Sequence, residues 1–223
     1  MPRKEPYSGM SLENKLFNED CLTFMQKNDF KVNYILTSPP DYEDRKTIDK
    51  DYNTYMSFIY KMIQELVKHS DVITISITDR KKDGKIIHKH GMITEYFEYF
   101  GFYLKTQKIW VKSFKTNLFS PNYSFLLTFV RNGHKANKKL NNSPDCYEGK
   151  QSNPRHMNST ICETLINLHT EEGDIIYDPC MGSGTTAIAC RKLKRKYIGT
   201  ELVKEIYDDS IQRLLLQVKT NYD

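Results

Sequence analysis

No apolar run in the 223-residue chain approaches the length of a membrane span. The opening stretch, MPRKEPYSGM, lacks the apolar core that a secretory signal needs. The five cysteines, Cys21, Cys146, Cys162, Cys180 and Cys190, are odd in number and contain no CxxC pair, which excludes a zinc ribbon and argues against a disulfide framework. An intracellular setting with free thiols is expected, in the cytoplasm or wherever the target of the chain is held. Nor is the charge of one sign: 33 Lys and Arg against 28 Asp and Glu leave +5, which is weak support for a polyanionic partner. Basic residues do gather, at Arg80–Lys82 and on to Lys89, at Lys105, Lys108, Lys112 and Lys115, from Arg131 to Lys139 and from Arg191 to Lys196. Any one of these runs is most simply a solvated face. Internal repeats and a second domain are missing too, so residues 1–223 are expected to form one domain.

What is present is a 39% hydrophobic share with abundant Tyr and Phe, the composition of a chain with a packed core. Strand and helix patterns alternate along it. Lys15–Asp20 suits a short strand and Cys21–Lys27 a short helix, and Val32–Thr37 is a strand. From Tyr52 to His69 the apolar residues Tyr55, Met56, Ile59, Met62, Ile63, Leu66 and Val67 recur every three or four positions, the period of an amphipathic helix. Asp71–Thr78 is β-branched and strand-like. A helix over Ile86–Tyr99 and strands over Phe102–Val111 and Tyr123–Arg131 follow. Residues 132–155 are polar and rich in Asn and Lys, a long loop that is either functional or disordered. Thr160 and Glu163 fit a capping box opening a helix to His169. A strand (Asp174–Asp178), a helix (Thr185–Lys194), a strand (Lys196–Glu201) and a helix to about Lys219 complete the chain. This alternation predicts an α/β sandwich with a mostly parallel sheet.

Two stretches carry chemistry. In ILTSPPDYED, Ile35 to Asp44, a strand meets Pro39-Pro40, which ends any ladder and stiffens the polar lip that follows. In IIYDPCMGSGTTAIAC a strand delivers Asp178 at its end, and Gly182 and Gly184 allow a sharp turn with room for a ligand. Thr185-Thr186 then opens a helix whose free N–H groups face that ligand. No Lys-Ser/Thr pair follows the glycines, which excludes a GxxxxGK[ST] phosphate loop. The next strand ends in Glu201, where an acid that holds a ribose is expected.

With these residues in view the chain resembles a known family. DPCMGSGTT is similar to the cofactor loop of S-adenosylmethionine-dependent methyltransferases, and TSPP to the catalytic tetrapeptide of those that methylate exocyclic amino groups of DNA bases. The catalytic motif (37–40) precedes the cofactor loop (178–186), the order of the permuted beta class, in which N4-cytosine and N6-adenine enzymes both occur. The resemblance runs from about Lys15 to Arg213 and takes in KIWVK, YIGTELVKEIYDDSIQRL and the segment from Arg155 through the glycine loop.

The resemblance implies a Rossmann-like sandwich, a twisted sheet with helices on both faces and the motifs in circularly permuted order. It implies S-adenosylmethionine as cofactor, DNA as partner and base flipping during catalysis. Ser38, Pro39, Pro40, Asp41 and Tyr42 then form the catalytic lip. Asp20, Thr37, His156, Asn158, Ser159, Asp178, Pro179, Cys180, Gly182, Ser183, Gly184, Thr185, Thr186, Glu201 and Leu202 line the cofactor site. An aromatic usually follows the two prolines; here Asp41 stands there and Tyr42 comes one place later. Either Tyr42 stacks on the base from a shifted turn or Asp41 makes a polar contact to it. Ser at position 38 leans toward cytosine N4, with adenine N6, an RNA substrate and a weakly catalytic DNA-binding or regulatory subunit as the alternatives. Residues 132–155 are the candidate for a reduced target-recognition insert, supplemented by a partner or a homodimer mate. His88 and His90, with no Cys or acid at ligand spacing, suit surface or DNA-backbone contacts, and no metal is expected.

Overall fold

The computed structural model describes residues 11–41, 52–82, 85–112, 122–135, 143–150 and 157–219. Tyr42, His156 and much of 132–155 therefore lie outside the described residues.

Ten strands and six helices are described: β1 (Lys15–Phe17), α1 (Cys21–Lys27), β2 (Tyr34–Thr37), α2 (Tyr52–His69), β3 (Val72–Ile77), β4 (Arg80–Lys82), β5 (Lys85–Ile87), α3 (Lys89–Tyr99), β6 (Phe102–Val111), β7 (Tyr123–Arg131), β8 (Cys146–Glu148), α4 (Ser159–His169), β9 (Ile175–Asp178), α5 (Thr185–Lys192), β10 (Lys196–Thr200) and α6 (Lys204–Lys219). Eight strands form one sheet in the order β1-β10-β9-β2-β3-β7-β6-β8. The first five are mutually parallel, and β8 is parallel to β6. Only β7 among the described strands of this sheet opposes its neighbours β3 and β6. The mostly parallel α/β sandwich is therefore borne out.

Both faces of the sheet are covered, which explains why β2 and β3 are buried along their whole length. Successive strand residues point to opposite faces, and the two cores divide accordingly. Ile35, Ile73, Leu127, Tyr177 and Ile198 join one core with the apolar faces of α1, α2 and α3. Tyr34, Leu36, Val72, Leu126, Ile176 and Tyr197 join the other, against α4, α5 and Leu214 of α6.

Three local expectations need correction. Ile86 and Ile87 belong to the β4–β5 hairpin, and α3 starts later, at Lys89. The sequence between the two strands, Asp83-Gly84, is of hairpin-closing composition, a local signal that outweighed the apolar pattern. The 132–155 segment is not structureless throughout, because β8 pairs with the edge strand β6, Ile109 opposite Cys146, and Gly149 O accepts from Trp110 Nε1 at 2.8 Å. Helix α4 is capped by Asn158, whose Oδ1 accepts from Ile161 N at 3.1 Å, and Thr160 lies inside the helix.

Candidate active site

Five parallel strands end at one edge of the sheet, and the strand order decides what meets there. Asp20 follows β1, Glu201 follows β10, Asp178 closes β9, and Thr37-Ser38 ends β2 beside β3. The two motifs, about 140 residues apart in sequence, thus sit on adjacent strands, β2 and β9. Helices α4 and α5 begin at the same edge, since each runs back antiparallel to the strands it connects. Asn158 and Ser159 therefore lie at this edge, where Asn158 Nδ2 donates to Lys150 O at 3.1 Å.

The glycine loop is tied down on every side. Asp178 is buried; its Oδ2 accepts from Thr186 Oγ1 at 2.6 Å and its Oδ1 from Cys180 N at 3.2 Å. Burial pushes the Asp178 carboxyl up to about 6, against the opposing pull of those hydrogen bonds. Thr200 Oγ1 donates to Pro179 O at 2.8 Å. Gly182, at φ 52°, donates its N–H to Glu201 Oε2 at 3.1 Å, while Glu201 Oε1 accepts from Val203 N at 2.8 Å. Arg213 of α6 donates to Ser183 O, and the hydroxyls of Ser183 and Thr185 lie 3.4 Å apart. Gly184 caps α5 in the left-handed region, φ 76°, where a side chain is strained. A Cβ there would also meet Ser210 Cβ at 3.2 Å, a tight contact with α6 that adds to the backbone strain. The close approach of a ligand need not be invoked for it.

These residues fit the cofactor that the sequence implies. Asp178 offers a buried carboxylate for a cationic group. Thr37 Oγ1, fully buried at the end of β2, faces Asp178 without a hydrogen bond of good geometry, which leaves a polar atom in want of a partner. Glu201 is held at the mouth of the loop by two backbone N–H groups, Gly182 on Oε2 and Val203 on Oε1. Leu202 is 51% exposed beside it, an apolar surface for a purine ring. Asp20 is engaged as the cap of α1, its Oδ1 accepting from Thr23 N at 2.9 Å.

The lip is organised by β3. Ser38 is exposed, Pro39 buried and Pro40 half-buried. Ser38 Oγ donates its proton to Ser76 O at 3.3 Å, so the hydroxyl's lone pairs remain for an incoming N–H. Asp41 is held by two cations: Arg80 Nε lies 2.7 Å from Oδ2 and Lys89 Nζ 2.9 Å from Oδ1. Lys89 is 1% exposed, and burial lowers its pKa against the pull of Asp41. With both oxygens engaged, Asp41 is a structural anchor of the lip more than a free acceptor for a base.

Sequence reasoning missed Ser76, Lys89 and Arg80 in these roles. A lysine between two histidines, HKH, gives no sign that it will be buried under a carboxylate 48 residues earlier. It also missed the acid beside His88 and His90. Asp79 Oδ1 caps α3 by accepting from His90 N at 3.1 Å, and Oδ2 lies 2.6 Å from His90 Nδ1 and 3.7 Å from His88 Nδ1. The three bring ligand-type atoms within 4.8 Å of one another. Arg80, Lys89 and the positive end of α3 all oppose a dication there, and Asp79 already caps the helix.

A family model described as DNA methylase matches residues 32–212. The Type II methyltransferase M.BglII of Bacillus subtilis is 27% identical over 90% of this chain and 69% of its own length. Two solved structures share the fold. The putative DNA modification methylase TTHA0409 of Thermus thermophilus, complexed with S-adenosyl-L-methionine, superposes with a TM-score of 0.75 at 19% identity, over 91% of this chain and 95% of that one. The cytosine-N4-specific PvuII DNA methyltransferase does so with a TM-score of 0.77 at 16% identity, over 90% and 86%.

Proposed function

Because this chain belongs to the DNA methylase family that its residues 32–212 match, we propose that it transfers a methyl group from S-adenosylmethionine to the exocyclic amino group of a flipped DNA base, with cytosine N4 favoured over adenine N6. The motif order supports the permuted beta class. The observation that carries the reading is the placement of Ser38 just past the end of β2, its proton spent on Ser76 O, beside the adjacent strand β9 that ends in Asp178.

A base amino group is a poor nucleophile because its lone pair is delocalised into the ring. Ser38 Oγ and the Pro39 carbonyl are two acceptors for its two N–H bonds. Accepting both draws the nitrogen toward tetrahedral geometry and localises the lone pair. The prolines and the Asp41 anchor hold the acceptors still, so little reorganisation accompanies the reaction. The cofactor, when bound, supplies an electrophilic methyl on a sulfonium. Asp178, Thr37, Asn158, Ser159 and Glu201 would hold it, with Leu202 against its purine. The base must leave its stack to reach the lip. Tyr42 remains the candidate to hold it there.

Residues 132–155 are short for a target-recognition unit. A brief recognition sequence, or help from a partner or a second copy, follows. The Type II name of M.BglII supports a role in restriction-modification. DNA from cells expressing the chain, digested to nucleosides and weighed by mass spectrometry, tests the reading. N4-methyldeoxycytidine is expected. N6-methyldeoxyadenosine would keep the reaction and correct the base. DNA free of both would overturn the proposal.

A further inference from the structure

Among the described strands only β4 and β5 stand outside the main sheet, as a two-stranded hairpin. A hairpin alone is marginally stable in water, and this one is held by its feet. At the foot of β4, Arg80 meets Asp41 at 2.7 Å, and the buried Asp79 accepts from His90 N at 3.1 Å. At the foot of β5, the buried Lys89 meets the other oxygen of Asp41 at 2.9 Å. The charges of this cluster are engaged with one another. Their work is to fix the hairpin beside the catalytic lip, since Asp41 directly follows Ser38-Pro39-Pro40.

Beyond the feet the hairpin changes character. The ladder sets Lys81 opposite Ile86 and Lys82 opposite Lys85. Residues 81–86 hold three lysines against one acid, Asp83. Successive residues of β5 face opposite ways, so Ile87 is half-buried while Ile86 is 54% exposed. Lys85 is exposed and makes no ion pair among the described residues. A single exposed isoleucine is ordinary on a protein surface. This one is carried among lysines on a hairpin fixed to the lip that receives the flipped base.

We propose that the β4–β5 hairpin docks on the target DNA, with Ile86 entering the stack as an apolar wedge where the target base has left it and Lys85 meeting a flanking phosphate. The proposal rests on the reaction proposed above and adds the element that promotes extrusion of the base. Extrusion costs the base its pairing and stacking. An aliphatic side chain in the vacated position restores apolar contact to the neighbouring bases, and isoleucine is among the side chains with which DNA-binding proteins part base steps. A two-stranded ribbon is of a size that the major groove admits. A polyanion complements the three lysines, which an apolar protein partner would not.

The test uses two duplexes carrying a site that the full chain methylates in plasmid DNA, one matched and one with an abasic position opposite the methylated base. Ile86→Thr keeps the β-branched side chain, and with it the strand propensity, but loses the apolar tip. On the matched duplex its single-turnover methyl transfer should be slower by about ten- to a hundredfold, and Ile86→Met should stay near the parent. On the abasic duplex, where pairing no longer resists extrusion, the defect of Ile86→Thr should shrink to about threefold. Lys85→Met should reduce the log–log salt slope of DNA binding by about 0.9, one phosphate contact. Affinity for S-adenosylmethionine should be unchanged in all three variants, which also verifies folding. Parental transfer by Ile86→Thr, or a defect of equal size on both duplexes, overturns the wedge while plasmid methylation by the parent still stands. An unchanged salt slope in Lys85→Met overturns the docking of the hairpin on DNA. A parent dimer that Ile86→Thr splits into monomers assigns the hairpin to a second copy of the chain and overturns the proposal as well. A parent that methylates no plasmid site overturns the proposed reaction and the wedge together.

Discussion

Replacing Asp178 by Asn should make the protein more stable and useless. Burial raises the Asp178 carboxyl from its usual 3.8 to about 6. The folded protein therefore holds the Asp178 proton more tightly than the unfolded chain does. As pH rises from about 4 to about 6, ionisation works against folding, and above 6 the penalty is complete. About two pH units at 1.36 kcal/mol each give roughly 3 kcal/mol. Asn carries no charge, keeps an oxygen for Cys180 N and can offer an amide N–H to Thr186 Oγ1, so the hydrogen bonds can be re-formed. The gain is largest if both are. Urea denaturation of both proteins should show no difference near pH 4 and a widening advantage for Asp178→Asn toward pH 7. Calorimetry should show the variant losing affinity for S-adenosylmethionine, and the parent losing it as pH falls below about 6. A variant less stable than its parent at pH 7, or a stability gap that does not change with pH, would refute the electrostatic reasoning.

Gly184→Ala should destabilise the fold by about 1–3 kcal/mol, since φ is 76° and the new Cβ meets Ser210 Cβ at 3.2 Å; Gly184→Ala with Ser210→Gly should recover part of the loss in a thermal melt. Asp41→Ala leaves the 1%-exposed Lys89 without its carboxylate and should cost about 3 kcal/mol, the low end for a broken buried pair because Asp41 is partly exposed. That cost should shrink as pH rises and Lys89 loses its proton, and Lys89→Met in the same chain should restore stability. Failure of the double variant to recover would mean that Asp41 acts chiefly through other contacts.

The elements that place the site were legible because their signals are local. The Pro39-Pro40 stop, the Gly182–Gly184 turn and the 3.6-residue period of α2 each depend on neighbours in sequence. Their convergence followed from the parallel-sheet rule, which puts ligands beyond the carboxyl ends of strands. What stayed hidden is non-local. Strand β8 has three residues and no apolar alternation; its pairing with β6 and the Trp110–Gly149 bond make it a strand. The burial of Lys89 depends on Asp41, and the tight packing at Gly184 depends on Ser210 in α6, neither of which is near in sequence. The resemblance assigned Asp20 to the cofactor site, and the structure shows its carboxylate capping α1.

The central claim is that Ser38, oriented by Ser76, activates a base amino group for methyl transfer. Single-turnover methylation of a duplex substrate by the parent and by Ser38→Ala, with the product nucleoside identified by mass spectrometry and S-adenosylmethionine affinity measured alongside, tests it most directly. Ser38→Ala should transfer methyl about 10²–10³-fold more slowly, the usual loss when one preorganised hydrogen-bonding group leaves a transition state, with cofactor affinity unchanged. Transfer by Ser38→Ala at the parental rate would contradict it.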